Sequence, residues 1–108
     1  MILVRDVFQL KFGKAKEAKA LLKERARIWK KVGLSVPRPL MDLTGPHYTL
    51  VLESTYENLA EWEAAMGGVH GAHEWVGWFE RFQPLVESGH REIFTVIAHR
   101  SRTAPRAC

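Results

Sequence analysis

The first residues of the chain alternate between apolar and polar side chains. One side of an extended segment over residues 2–12 carries five apolar residues, namely Ile2, Val4, Phe8, Leu10 and Phe12. The other side carries Arg5, Gln9 and Lys11. A period of two is typical of a strand with one buried face. The pattern therefore predicts a first strand that ends at Gly13.

The period changes after this strand. From Ala15 onward a stripe of positions three or four residues apart comprises Ala18, Leu21, Leu22, Arg25, Trp29 and Val32. Such spacing places the residues on one face of a helix. Gly33 follows the last of them and is suited to the left-handed conformation that often ends a helix. We predict a first helix between Ala15 and Gly33.

Prolines restrict the next segment. Residues 35–46 contain three prolines, which lack the amide hydrogen that a central strand needs. The segment is predicted to form strand only near residues 40–43, or to form an edge strand. A turn at Gly45 and Pro46 then leads into residues 47–55, which alternate again and predict a strand. Tyr48, Leu50 and Leu52 share one side of this strand, and His47, Thr49, Val51 and Glu53 share the other.

The second helical region has a start signal and an interruption. The sequence Ser-Thr-Tyr-Glu over 54–57 has the form of a capping box, so we predict that the helix begins there, with Leu59, Trp62 and Met66 along its stripe. The Gly-Gly pair at 67–68 is predicted to break it. A further helical segment over 70–83 precedes Pro84, and a turn is predicted over 87–89.

The last predicted strand covers residues 90–99. It is apolar on both faces from Ile93 to Ile97, which favours a central position in a sheet. The resulting order, β-α-β-β-α-β, predicts an α+β ferredoxin-like fold with a four-stranded antiparallel sheet and the helices on one face. Val51, Ile93 and Ile97 are predicted to line the uncovered face and to make it too apolar to remain in water. We therefore predict a homodimer that packs sheet to sheet.

The composition of the chain limits the number of domains and the possible cellular location. A chain of 108 residues fits one domain, predicted over residues 1–99, with a flexible basic tail over 100–108. No apolar run is long enough for a membrane span, and the start of the chain lacks the basic segment of a signal peptide. The single cysteine, Cys108, excludes an internal disulfide and favours a cytoplasmic location.

The net charge of +4 arises in part from a ladder of cations along the first helix, formed by Lys19, Lys23, Arg27 and Lys31. Nucleic acid or an anionic lipid surface would suit such a ladder. A solvated face is favoured, because no aromatic residues or glycine-rich loop accompany the cations. We predict neither nucleic acid nor a membrane as a partner. Nucleotide-binding and hydrolase motifs are also absent from the sequence.

Three stretches of the sequence carry a family resemblance. They are VRDVFQLKFGKAKEA, DLTGPHYTLVLESTYENLAEWEAAM and WFERFQPLVESGHREIFTV. Together they resemble, over nearly the whole chain, the small NIPSNAP-like proteins of the dimeric α+β barrel superfamily. The resemblance implies the ferredoxin-like fold and a dimer. It does not fix the chemistry, because the superfamily also holds antibiotic-biosynthesis monooxygenases and haem proteins.

The histidines at 70 and 73 raise the question of a metal or haem site. His70, His73 and Glu74 share one broad helical face, and imidazole can bind zinc or haem iron. In the haem-degrading relatives the resemblance aligns an asparagine with Asp6, a tryptophan with Trp62 and an alanine-histidine pair with residues 72–73. The asparagine is replaced by aspartate, and solvated helical histidines are ordinary. No metal and no cofactor are predicted.

Asp6 is the least expected residue of the first strand, because it shares the parity of the apolar side chains. Such a carboxylate either forms a structural ion pair with Arg91 or another strand arginine, or serves as a general base. The catalytic candidates are therefore Asp6 and His73, and whether the protein is an enzyme stays open.

Aromatic residues dominate the segment before Pro84. Trp75, Phe79 and Phe82 share one stripe and are predicted to pack in the core, whereas Trp78 lies off it and is predicted to contact a ligand or a partner. His47, Thr49 and Glu53 could supply a polar wall, although His47 beside its turn could simply be exposed. The predicted ligand-binding residues are Phe8, His47, Thr49, Glu53, Trp62, Trp78 and Arg91.

The predicted function is that of a NIPSNAP-like dimeric α+β barrel of unassigned activity. We expect it to bind a small hydrophobic or aromatic molecule in a cavity between sheet and helices. The alternative is a cofactor-independent or haem-linked monooxygenase of the antibiotic-biosynthesis type. An interaction module that uses the basic first helix ranks below both.

Overall fold

The computed structural model describes residues 1–97. Its elements are β1 (Ile2–Leu10), α1 (Ala15–Lys31), β2 (Arg38–Met41), β3 (Thr49–Tyr56), α2 (Leu59–His70), α3 (Trp75–Phe82), a 3₁₀ turn (Gln83–Leu85) and β4 (Val86–Thr95). The predicted order is confirmed, with the second helical region in two pieces. The predicted tail over 100–108, including Cys108, lies outside the described residues, as do the last two residues of the predicted final strand.

All four strands form one antiparallel sheet in the order β2-β3-β1-β4. The proline-containing β2 is an edge strand, as its missing amides require. The prediction that the last strand is central is wrong, because β4 forms the opposite edge. Its apolar run over 93–97 had suggested two buried faces, but Ile93, Phe94 and Ile97 are all exposed.

One face of the sheet is covered by the helices. Even-numbered residues of β1 and β3 point to this side, where Leu10, Leu50 and Leu52 are buried. They pack in one core cluster with side chains of α1 and α3, including Ile28 and Trp78. Burial of these side chains, each worth about 1.5–3 kcal/mol, is the main source of stability for the fold.

The start of α2 differs from the prediction. Its N-cap is Asn58, whose Oδ1 accepts a hydrogen bond from the amide of Glu61 at 2.9 Å, while the Glu61 carboxylate accepts from the amide of Glu57. This pair of bonds resembles a capping box, although Glu61 accepts from the residue before the N-cap, and it lies one turn later than Ser54 because β3 continues to Tyr56. The strand therefore takes the residues that local sequence assigned to the helix.

Two glycine-based predictions are also wrong. Gly67 and Gly68 lie inside α2, which continues to His70 because Ala65 and Val69 on either side of them are buried. The predicted turn over 87–89 is part of β4, where Gly89 pairs with Phe8.

The inward face of α3 is out of phase with the prediction. Trp78 is 2% exposed and its indole Nε1 donates to the carbonyl of Leu21 at 2.7 Å. Phe79, predicted to lie in the core, is 44% exposed. The stripe that packs inward is Trp75, Trp78 and Phe82, with Trp75 half-buried.

The uncovered face of the sheet is more polar than predicted. Ile93 pairs with Val4 and therefore lies on the helix side, whereas Val51 does lie on the uncovered face and is shielded to 9% exposure by its neighbours. Ion pairs cross the same face between Arg5 and Glu53 at 3.7 Å and between Arg5 and Glu92 at 3.9 Å. The apolar residues of this face are Leu3, Val7, Leu40, Val51 and Phe94.

Over residues 1–97, no helix combines the length and the apolar character that crossing a membrane requires.

Candidate functional site

A cavity of about 350 Å³ lies between the helices and the sheet. Its volume falls within the range of about 300–1,000 Å³ that is usual for small-molecule sites. Phe8 and Leu52 form its floor on β1 and β3, and the helices α1, α2 and α3 form its walls. The aromatic lining residues are Phe8, Trp29, Trp75, Trp78, Phe79 and Phe82.

The aromatic wall is ordered by ring stacking along α3. Trp75 stacks on Trp78 with 5.0 Å between ring centroids, and Trp78 stacks on Phe82 at 4.8 Å. Phe8 meets the ring of Phe82 edge to face at 5.3 Å. These offset and edge geometries are the favoured ones for aromatic pairs. Trp78 is therefore covered on both ring faces, and the aromatic residues of α3 that a planar ligand can reach are the half-buried Trp75 and the exposed Phe79, whose ring centroids lie 6.5 Å apart.

The mouth of the cavity is formed by exposed residues. Phe79 and the imidazole of His70 both line the cavity and are exposed to solvent. His70 also approaches Trp75, with 5.6 Å between the ring centroids. A molecule can therefore enter between the end of α2 and the exposed face of α3.

Arg25 places a cation inside this aromatic cavity. Its side chain is 8% exposed, and its guanidinium carbon lies 4.8 Å from the ring centroid of Trp29 and 5.6 Å from that of Trp75. Burial lowers the pKa of Arg25 to about 10, against the opposing influence of Asp6, so the group stays charged at neutral pH. Among the described residues, none accepts a hydrogen bond from the Arg25 side chain.

Asp6 and Arg91 form an ion pair at one side of the cavity. The two residues are directly opposite in the register of β1 and β4, and the Arg91 Nε donates to the Asp6 Oδ1 at 2.6 Å. The Arg91 guanidinium also lies 5.1 Å from the ring centroid of Trp62. The ion pair proposed from sequence for Asp6 is therefore present.

The structure brings together some of the predicted site residues. Asp6, Phe8, Trp78 and Arg91 all line the cavity, and Trp62 lies beside it against Arg91. Their roles in binding or catalysis stay predictions.

The other predicted site residues lie elsewhere. Thr49 and Glu53 point to the uncovered face of the sheet, where Glu53 pairs with Arg38 at 2.6 Å. His47 is exposed in the turn before β3, and its carbonyl accepts from the Gln9 side chain. His73 is exposed in the turn between α2 and α3 and does not line the cavity. None of these four residues lines the cavity.

Sequence reasoning missed Arg25 as a site residue. A signal was present, because Arg25 occupies a position on the buried stripe of α1 between Ala18 and Trp29, just as Asp6 occupies an apolar position on β1. The indole Nε1 of Trp29, which also lines the cavity, is a fully buried donor without an acceptor in the described part of the chain.

Within residues 1–97, no group of three or more His, Cys, Asp or Glu side chains is arranged to hold a metal ion. The ionisable groups that line the cavity are two guanidiniums, one carboxylate and one imidazole. This arrangement can stack on a planar molecule and bind a polar group on it.

The fold is similar to that of several solved structures. A NIPSNAP family protein from Agrobacterium tumefaciens superimposes with a TM-score of 0.81 at 18% identity, over 90% of this chain and 93% of the other. An uncharacterized NIPSNAP domain protein from Burkholderia xenovorans gives 0.80 at 14% identity, over 91% and 96%. An antibiotic biosynthesis monooxygenase gives 0.70 at 12% identity, over 90% and 99%.

No protein-family model and no curated protein matches the sequence. At the level of the fold, the resemblance to the NIPSNAP-like proteins is confirmed.

Proposed function

We propose that this chain, which has the NIPSNAP fold, binds a small hydrophobic or aromatic molecule in the cavity between its sheet and its helices. The observation that carries the proposal is the open volume beside the half-buried Trp75 and the exposed Phe79, behind which Trp78 and Phe82 are packed in the core. A few polar groups in a mostly apolar cavity are typical of a small-molecule site.

The proposal includes a homodimer that is formed through the uncovered face of the sheet. Support comes from the exposed Leu40 and Phe94 on this face, next to Val7. The ion pairs of Arg5 would then lie at the subunit contact. Sedimentation velocity tests this part. Phe94→Glu is expected to give a monomer, and Phe12→Glu, which alters an exposed aromatic residue after β1, is expected to leave the dimer intact.

The proposal also places the protein in the cytoplasm. The single cysteine of the sequence leaves no internal disulfide, as is usual for proteins of a reducing compartment.

Ligand-observed NMR with an uncharged bicyclic probe, 2-naphthalenemethanol, tests the ligand proposal. We expect saturation transfer from the protein to the probe, and its loss in Trp75→Ala, which removes one stacking surface. Phe12→Ala serves as the matched control, because Phe12 is exposed and does not line the cavity. Equal transfer in the wild type and in Trp75→Ala would show that binding at this cavity is not the basis of the signal.

The second candidate is cofactor-independent oxygenation of an aromatic hydroxyl compound. The observation that favours it is the Asp6 carboxylate at the cavity, which could accept a proton from a bound substrate. The structural similarity to an antibiotic biosynthesis monooxygenase adds support. Dioxygen uptake with 1,4-dihydroxynaphthalene, measured for the wild type and Asp6→Asn, decides this candidate. Uptake no faster than in buffer, or unchanged in Asp6→Asn, removes it.

A further inference from the structure

Arg25 carries N–H donors that the fold leaves without oxygen acceptors. Its contacts with the rings of Trp29, Trp75 and Trp78 are between the guanidinium and ring faces, at 4.8–5.8 Å. Such contacts stabilise the charge, but they leave the N–H groups without an oxygen acceptor. The fully buried donors without a partner within residues 1–97 are Arg5 Nε and Trp29 Nε1, so the nitrogens of Arg25 keep access to the cavity that this residue lines. An arginine that is nine-tenths buried, contacts only ring faces and opens into a cavity marks a place where an acceptor from outside the chain fits.

The charge balance of the cavity indicates what kind of acceptor this is. Arg91 is paired with Asp6 at 2.6 Å, so these two charges offset one another. Arg25 has no partner within ion-pair distance among the described residues, which leaves one unneutralised positive charge in the cavity. One negative charge from a ligand would complete the balance. A phosphate with nearly two negative charges would exceed it.

The geometry points to a planar aromatic monocarboxylate as the ligand: we propose that its carboxylate binds the guanidinium of Arg25 while its ring packs against Trp75 and Phe79 at the mouth of the cavity. A carboxylate matches the planar fork of a guanidinium with two parallel hydrogen bonds. This inference rests on the proposed small-molecule function and names the substrate class of the same cavity.

Isothermal titration calorimetry with two matched probes tests the inference. The probes are 2-naphthoate and its neutral isostere 2-naphthamide, which share the ring system and differ in the charge of one planar group. Charge-assisted hydrogen bonds are roughly twice as strong as neutral ones. We therefore expect the wild type to bind 2-naphthoate at least about tenfold more tightly than 2-naphthamide.

Two substitutions on α1 assign the preference to one residue. Arg25→Met is expected to abolish the preference for 2-naphthoate, and Arg25→Lys is expected to restore part of it, since the charge returns without the fork. Arg27→Met is the matched control, because Arg27 is exposed on the same helix and does not line the cavity. Circular dichroism of each variant establishes that it is folded.

The outcomes separate the inference from the proposed function. Equal binding of both probes by the wild type overturns the carboxylate inference and leaves the apolar cavity as the binding site. A preference for 2-naphthoate that persists in Arg25→Met also overturns it. Absence of binding by either probe counts against both proposals.

Discussion

Trp78 is predicted to contribute far more to stability than its neighbour Phe79. Trp78 is 2% exposed, stacks on two rings and donates a 2.7 Å hydrogen bond to the carbonyl of Leu21. Truncation of a buried aromatic residue to alanine costs about 3–5 kcal/mol, and the lost hydrogen bond contributes about 1 kcal/mol. We therefore expect Trp78→Ala to lower the free energy of unfolding by about 4 kcal/mol.

Phe79→Ala gives the contrast. A fully buried phenylalanine is worth about 1.5–3 kcal/mol, and Phe79 keeps 44% of its surface exposed, so the expected loss is about 1 kcal/mol. The two substitutions differ by one position on the same helix, and the helix propensity of alanine is shared by both. The expected ratio of the two losses is therefore set by burial.

Urea unfolding followed by far-ultraviolet circular dichroism measures both losses without relying on the tryptophan signal that one variant removes. A domain of this size has a stability of about 5–15 kcal/mol, so Trp78→Ala could leave too little folded protein. Trp78→Phe, which keeps most of the ring, is then the substitute and is expected to cost about 1–2 kcal/mol. A loss for Phe79→Ala that equals or exceeds the loss for Trp78→Ala, or that clearly exceeds the loss for Trp78→Phe, would refute the inward placement of Trp78.

Three further predictions concern capping, glycine positions and one surface ion pair. Asn58→Ala removes the side chain that caps α2 and is expected to cost about 1 kcal/mol in urea unfolding. Gly67→Ala is expected to stabilise by about 0.5–1 kcal/mol, because the added methyl group meets open space in a helix. Gly89→Ala is expected to destabilise, because the same methyl group would lie 2.9 Å from a ring carbon on β1. The guanidinium of Arg81 donates to the carboxylate of Glu24 and lowers its pKa below the usual 4.5, so the pair stabilises the fold above that pH and loses its effect as the pH falls through the lowered value. An NMR titration should show the pKa of Glu24 rising in Arg81→Met.

Each of these has a clear contrary result. An unchanged free energy for Asn58→Ala would mean that the helix does not begin there. Destabilisation by Gly67→Ala, or tolerance of Gly89→Ala, would contradict the path of α2 or the packing of β4 against β1. An identical titration midpoint of Glu24 in the wild type and in Arg81→Met would show that the ion pair is absent in solution.

Alternation and spacing were enough to predict the order of elements and the sheet with helices on one side. They could not predict where β3 ends and α2 begins, because residues 54–57 suit both a strand and a helix start. The pairing of β3 with β1 determines that the strand continues to Tyr56. The Gly-Gly pair at 67–68 costs about 1 kcal/mol per residue in a helix, and burial of Val69 offsets this cost. Such offsets depend on tertiary contacts that no local window contains.

The residues of the candidate site also divide into those that the sequence could predict and those that it could not. Asp6 stood out because one charge broke an apolar pattern, and Arg91 was named with the other strand arginines as its possible partner. Which face of α3 packs inward could not be predicted from the sequence, because the stripe of residues 75, 79 and 82 and the stripe of residues 75, 78 and 82 have equally regular spacing. Only the packing of α3 against α1 distinguishes the two. Arg25 was counted as part of a helical stripe, although a charge in that stripe carried the same signal as Asp6.

The buried position of Arg25 is expected to lower the thermal stability of the fold, although the same charge is what the proposed ligand preference requires. Since only ring faces contact its guanidinium within residues 1–97, Arg25 carries a charge that the fold desolvates and that a methionine of similar length would remove. Arg25→Met is therefore expected to melt at a higher temperature than the natural chain. The packing of the fold alone would then not require an arginine at this position.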